Sequence, residues 1–451
     1  MPPRSRMAVA AGAALAAVSL ISGCGPEEGA DAGGEGGSGS TAAKAKLLHQ
    51  VPMPKVSEMA DAMGMWTTDR NFVKVGLKRI SGYPLSGGTA RWQIPLAGEV
   101  CWSSPEPTKD GLVAVLFEND KADYADCTEV GLVDLNTGKL RWHKRAMDDG
   151  DPISFDEVTI GGGTVAAGGT GGTAAWSTGG RALWKSDSMD GKCPADAYAG
   201  SGEKLIAVRD CGTVKNPKLR VETVNPRTRA AKSAFNLPAG TENVHVASAD
   251  PLVLAVDDGK AKGGSGVSEF LTVDDSVRRG QLLSRIPMGG GKYGQYDADC
   301  PATEVTDCKQ VVVSKEADAL YLGTQDSAGD EANNDVVALS LKTGKRIARI
   351  PGASGGRFLP IGLGRDGEVL VYQQSGYTKG GAVWKISPST RKKTKILQNP
   401  TSSRKTESAL EIGDGRIHYA HGRLYIGNDD VTEPSGSRAE KDPLAAVFGT
   451  K

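Results

Sequence analysis

Cysteine is the residue type whose number and spacing in this chain first suggest chemistry. Seven are present: Cys24, Cys101, Cys127, Cys193, Cys211, Cys300 and Cys308. The last six form three sequential couples, separated by 26, 18 and 8 residues. There is no CxxC, and the five histidines do not fall beside the cysteines, so disulfides are favoured over metal ligation. Six cysteines allow fifteen pairings. Sequential clustering predicts Cys101–Cys127, Cys193–Cys211 and Cys300–Cys308. Other groupings are weaker. His418 and His421 have metal-like spacing only, because strand residues three apart point to opposite faces. The pairs Asp148-Asp149, Asp257-Asp258, Asp274-Asp275 and Asp429-Asp430 read as solvated turns rather than a cation site. The glycine-rich run 161–172 lacks the GK[ST] ending of a phosphate loop, and no Gly-x-Ser-x-Gly elbow leads into a helix. No catalytic residue, cofactor-binding residue or metal site is expected, and no cofactor.

Cys24 stands apart. Arg4 and Arg6 precede a nearly pure aliphatic run over residues 7–21, which ends in Leu20-Ile21-Ser22-Gly23-Cys24. That run is too short to span a hydrocarbon layer of about 30 Å and suits a cleaved signal. The ending resembles the bacterial lipobox, whose cysteine is diacylated and becomes the mature N-terminus. Two acyl chains hold a protein firmly where one binds only marginally. The resemblance implies a signal peptide over 1–23, lipidation at Cys24, and a chain anchored on the extracytoplasmic face of the cell membrane. An oxidising compartment fits the six remaining cysteines. Residues 25–43 are Gly, Ser, Ala and acidic residues, so a lipidated, flexible tether is expected over 24–64.

Charge excludes one class of partner. The chain carries 54 basic and 54 acidic residues, and no strongly basic stretch argues for nucleic acid. Sixty glycines point to many tight turns and many short strands.

The elements that must position any site are repeats. The best copies are VGLVDLNTGKLRW at 130–142, VVALSLKTGKRIARI at 336–350 and ISGYPLSGGTARW at 80–92. Weaker copies lie at 173–184, 221–235, 270–284 and 382–397. Each is an alternating strand, a polar turn and a second strand, with two further strand-like runs before most copies. A unit of four short strands, repeated roughly every 42 to 65 residues, predicts an all-β propeller over 65–451. Two β-sandwiches are the structural alternative, and a short helix is allowed near 54–63. Seven outer-strand copies, with a last unit that lacks its outer strand, favour seven blades closed by N-terminal strands completing the C-terminal blade. The count becomes eight if residues 65–75 belong to a separate blade.

The unit aliphatic-x-aliphatic-Asp/Ser-x-x-Thr-Gly-Lys, with a second strand ending in Trp, resembles the pyrroloquinoline-quinone (PQQ)-like propeller repeat. Its best copy carries Asp134, Thr137, Gly138, Lys139 and Trp142. With the lipobox and tether, the chain resembles actinobacterial lipoproteins of that superfamily. The resemblance implies that the Trp and Gly positions dock blades and shape turns. The functional expectation is a monomeric, non-catalytic module for an envelope or extracellular protein. The alternative is an extracytoplasmic quinone-dependent dehydrogenase or hydrolase using the propeller channel. The chain has no Cys-Cys pair of the kind such dehydrogenases often carry. Loops 325–335 and 428–442 are candidate contact regions.

Overall fold

Alternation of apolar and polar side chains makes each repeat the outer half of a four-stranded antiparallel sheet. In blade 2, Glu129–Asp134 is buried along its length, whereas Lys139–Lys144 beside it is largely exposed. The computed structural model describes residues 42–120, 126–187, 193–213, 215–259, 266–289, 295–325, 333–411, 415–432 and 442–450. They form eight such sheets arranged as a propeller. Blades 1 to 7 occupy residues 65–95, 100–144, 157–187, 195–236, 243–287, 296–350 and 358–398. Blade 8 takes Arg416–Ala420, Arg423–Gly427 and Pro443–Gly449, and its outermost strand is Lys46–Pro52. The closing register sets Leu47 opposite Phe448 and Val51 opposite Ala445.

The ring is closed by N-terminal strands, as expected, but with eight blades rather than seven. Residues 65–95 form a complete blade of their own, so the strand that finishes blade 8 comes from further upstream. Residues 43–44 and 46–52, which the sequence assigned to the tether, are in strand; Ala43–Lys44 pairs in parallel with Leu397 and Gln398 of blade 7. No helix forms near 54–63. There Ala60–Asp61 pairs with Asp430–Val431, which buries Ala60 and Ala62. The α-helix among the described residues is Arg404–Glu411, far too short to cross a membrane.

The core lies between blades. Trp102, Leu116, Phe155, Val158 and Trp176 join blades 2 and 3, while Phe72, Tyr425, Val447 and Val51 join blades 8 and 1. Outer-strand tryptophans dock onto the turn of the following blade. Trp142 Nε1 donates to the Thr178 carbonyl at 3.0 Å, and Trp184 Nε1 to that of Pro226 at 3.1 Å. Trp92 lies on Gly138, where φ is 66° and a Cβ would stand 2.2 Å from the indole, so this turn needs glycine twice over. Blade 5 uses Ser284 instead, whose hydroxyl donates to the Leu341 carbonyl at 2.7 Å. At the closing seam His49 takes the position, packed on Gly87 with its ring 5.3 Å from that of Tyr83.

Candidate functional site

In every blade the first strand lies nearest the axis, and in blade 6 that strand is interrupted. Tyr296–Asp297 and Val312–Ser314 both pair with Ala319–Thr324, and the chain between them leaves the sheet. Cys300–Cys308 staples this excursion at its base, beside the pairing of Asp299 with Lys309.

The excursion reaches three other blades. The Val305 amide donates to both carboxyl oxygens of Glu157, at 3.3 and 3.2 Å, at the start of the first strand of blade 3. In blade 5, His245 Nδ1 donates to the Glu304 carbonyl and the Val246 amide to the Val305 carbonyl, both at 2.7 Å. In blade 8, Arg416 Nη1 and Nη2 donate to the two Asp307 oxygens at 3.0 and 2.8 Å. A four-residue segment from blade 6 can touch the inner strands of blades 3, 5 and 8 only by crossing the axis. The loop is a crossbar through the middle of the ring. Val305 is 5% exposed and packs with Ala197, Ala199, Val244 and Val246.

Burial sets the electrostatics. It pushes the Glu157 carboxyl up to about 8, with Glu304 and Asp156 adding to the rise and the Val305 and Thr306 donors opposing it. Glu157 is therefore largely a neutral acid at pH 7. Asp429 shows the opposite outcome. Burial pushes its carboxyl up, but Arg416, Lys309 and Lys74 together hold it below the usual carboxylate range. Arg416 donates to Asp429 through Nε at 3.0 Å, and Lys309 Nζ lies 3.3 Å from the other oxygen. Burial brings the Lys74 ammonium down to about 7, against the pull of Asp429. Lys74 Nζ donates to the Ala62 and Gly64 carbonyls at 2.6 and 3.2 Å and is sealed from solvent. The arrangement holds a piece of polypeptide by its backbone and by one carboxylate; it does not expose a nucleophile beside a base.

The six cysteines pair as the spacing predicted. Cys24, the residue expected to be lipidated, lies outside the described residues, as do most of loops 325–335 and 428–442, at 326–332 and 433–441. His418 and His421 do not converge. His418 sits in the first strand of blade 8, its imidazole held down to about 4 by burial and then by Arg416, while His421 occupies the turn after it, 3.9 Å from Asp69. Among the described residues no three His, Cys, Asp or Glu side chains are placed to hold a metal ion. Asp148 and Asp275 make ion pairs with Lys185 and Lys204. Asp429 departs from the solvated turn expected of it: it is 3% exposed and lies at the centre of the Arg416 network. In the glycine-rich run, Gly161 lets blades 3 and 4 approach closely, since a Cβ there would stand 2.1 Å from the Lys204 carbonyl oxygen. Glu157, Asp307, Arg416 and Lys74 carried no signal in the sequence beyond the short cysteine loop that contains Asp307.

No protein-family model matches the chain, and no curated protein does. Among solved structures, it is similar to a chain of the hydrazine synthase of Kuenenia stuttgartiensis. That match has 12% identity and a TM-score of 0.41, over 74% of this chain and 97% of the other. The β-propeller domain of Cps50 (Swd1) of Myceliophteria thermophila matches at 11% identity and a TM-score of 0.41, over 75% and 100%. A chain of the Mitotic Checkpoint Complex matches at 10% and 0.40, over 80% and 96%. Likeness at this level says nothing of what the chain binds or does, and the propeller assignment rests on its own strand pairing.

Proposed function

We propose that this chain is an extracytoplasmic β-propeller lipoprotein, anchored in the membrane through acylated Cys24, that serves as a non-catalytic binding or scaffold module for a protein of the cell envelope. The crossbar through the axis carries the non-catalytic part of this reading. A dehydrogenase or hydrolase working in the central channel needs that channel open, and here residues 304–307 occupy it. Support for the anchor comes from the sequence around Cys24 and from three disulfides in the chain.

Two experiments test the reading. Metabolic labelling with an alkyne fatty acid should mark the wild-type chain, and Cys24→Ser should lose both the label and membrane association; retention of either removes the anchor. A photo-cross-linker placed in living cells at Met59, Met147 or Tyr377, all exposed, should give a discrete adduct of one mass at some positions. Absence of any adduct counts against a binding module. The dehydrogenase alternative is checked by titrating the purified protein with PQQ and calcium, where saturable spectral change at micromolar cofactor would favour it.

A further inference from the structure

The crossbar has the contacts of a bound ligand. Its backbone offers an N–H to Glu157 and two carbonyls to His245 and Val246, while Asp307 offers a carboxylate to the fork of Arg416. These groups belong to blades 3, 5 and 8, not to the blade that supplies the loop. Those of blades 5 and 8 are also fixed independently of the loop. His245 and Val246 are held in register with Ala255 and Leu254, and Arg416 is held by Asp429. The side chain of Val305 fills an apolar recess between blades 4 and 5. Backbone donors and acceptors, one apolar recess and one bidentate arginine are the means by which a protein recognises a short peptide. Just before the seated segment Ala302 and Thr303 are exposed, so it connects directly to solvent.

We propose that the axial channel is a binding site for a short, bent acidic peptide, filled in the disulfide-bonded chain by the protein's own residues 304–307, which bend at Val305 and Thr306 and place Asp307 at a φ of 75°. The preferred ligand presents an aliphatic side chain, then a threonine, then an aspartate. The loop wins against external peptides because it is tethered, and its effective concentration is in the millimolar range for so short a link. Opening the Cys300–Cys308 staple, or weakening the loop's own anchoring residues, exposes the site. This assignment goes beyond the module reading and does not depend on the lipid anchor, so the two fail separately.

The test uses a fluorescein-labelled heptapeptide, TEVTDSK, which copies residues 303–309 with serine for Cys308. Fluorescence anisotropy is recorded against the wild type, against a chain carrying Val305→Gly and Asp307→Ala, and against a chain carrying Cys300→Ser and Cys308→Ser. The expected result is saturable binding to a released chain at least tenfold tighter than to the wild type. The peptide TEVTNSK, which lacks the carboxylate for Arg416, should bind at least tenfold more weakly than TEVTDSK. Two results overturn the assignment. One is no binding to either altered chain when both keep their β-sheet circular dichroism and a cooperative melt. The other is equal binding of the two peptides.

Discussion

Arg416 holds Asp307 across the gap between blades 8 and 6 through two parallel hydrogen bonds of 3.0 and 2.8 Å, and its Nε holds Asp429 within blade 8. One buried cation thus satisfies two buried carboxylates. Burial pulls the Arg416 guanidinium toward losing its proton, and Asp429 and Asp307 more than reverse that pull, so it stays charged. The pair joins parts of the chain 109 residues apart in sequence.

Arg416→Ala should be severely destabilising. It leaves Asp307 and Asp429 with Lys309 and Lys74 as the remaining nearby cations, and breaking a buried pair from one side costs about 3–5 kcal/mol. Chemical denaturation should show a lower midpoint for this variant, with Asp307→Asn less damaging because Asp429 keeps its partner.

Glu157 predicts the alkaline side of the stability profile. Its folded value, about 8, lies above its unfolded one, so the folded chain binds the extra proton. The stability it contributes is full below the unfolded value of about 4.3 and is lost as pH rises through 8. Melting temperatures of the wild type should therefore fall across that window. Glu157→Gln should flatten the fall and melt higher than the wild type at pH 9. An unchanged slope would remove Glu157 as its source.

Three histidines predict the acid side. Burial lowers the imidazoles of His49 and His245, and burial with Arg416 lowers that of His418 to about 4. Each contributes stability that is present above the unfolded value of about 6.5 and lost as pH falls through the folded one. At the closing seam His49 Nε2 is buried with no hydrogen-bond partner, so a proton there has no acceptor. His49→Phe should reduce the loss of melting temperature between pH 6.5 and 5, and a full set of three substitutions should reduce it further.

The outer half of each repeat was legible because two-residue alternation is a strong local signal. All seven quoted copies are the third and fourth strands of a blade. The closing strand was not legible, since in Lys46–Pro52 only Val51 is fully buried and lysines precede it. That single omission turned eight blades into seven. The crossbar was legible only as a short disulfide loop. Glu157, Asp307 and Arg416 are ordinary charged residues at strand ends or in loops, and only the closed ring brings Val305 to Glu157 across 148 positions. Asp429 looked like half of a solvated pair because its partners Arg416, Lys309 and Lys74 come from other strands and loops and leave no trace beside it in sequence.

Trp142→Ala should cost about 2–3 kcal/mol, since it removes a half-buried indole and its hydrogen bond to the Thr178 carbonyl. Gly180→Ala should also destabilise, because φ there is 83° and a Cβ would lie 3.1 Å from the same indole. Melting of the two single variants and the double variant should show non-additivity, as both changes open one interface between blades 2 and 3.

The length of the loop that each disulfide closes sets part of what it contributes. Chain entropy gives about 3.6 kcal/mol for Cys101–Cys127, about 3.2 for Cys193–Cys211 and about 2.6 for Cys300–Cys308. Paired cysteine-to-alanine variants, melted under identical conditions, should show the first two pairs in that order. Removing Cys300–Cys308 should cost more than its loop alone gives, because it also releases the crossbar contacts. A cost no larger than the loop value would mean that the crossbar stays seated without the staple.

The position of the closing strand has a consequence for how the protein is made. Pro52 pairs with Pro443, so about 390 residues must be synthesised before the first long strand meets its partner. At about 5–20 residues per second that wait lasts tens of seconds. Blades 1 to 7 can assemble from local hairpins as they emerge, but blade 8 cannot. A chain that stops short of residue 443 leaves its earliest long strand with an open edge, ready to pair with a neighbouring copy.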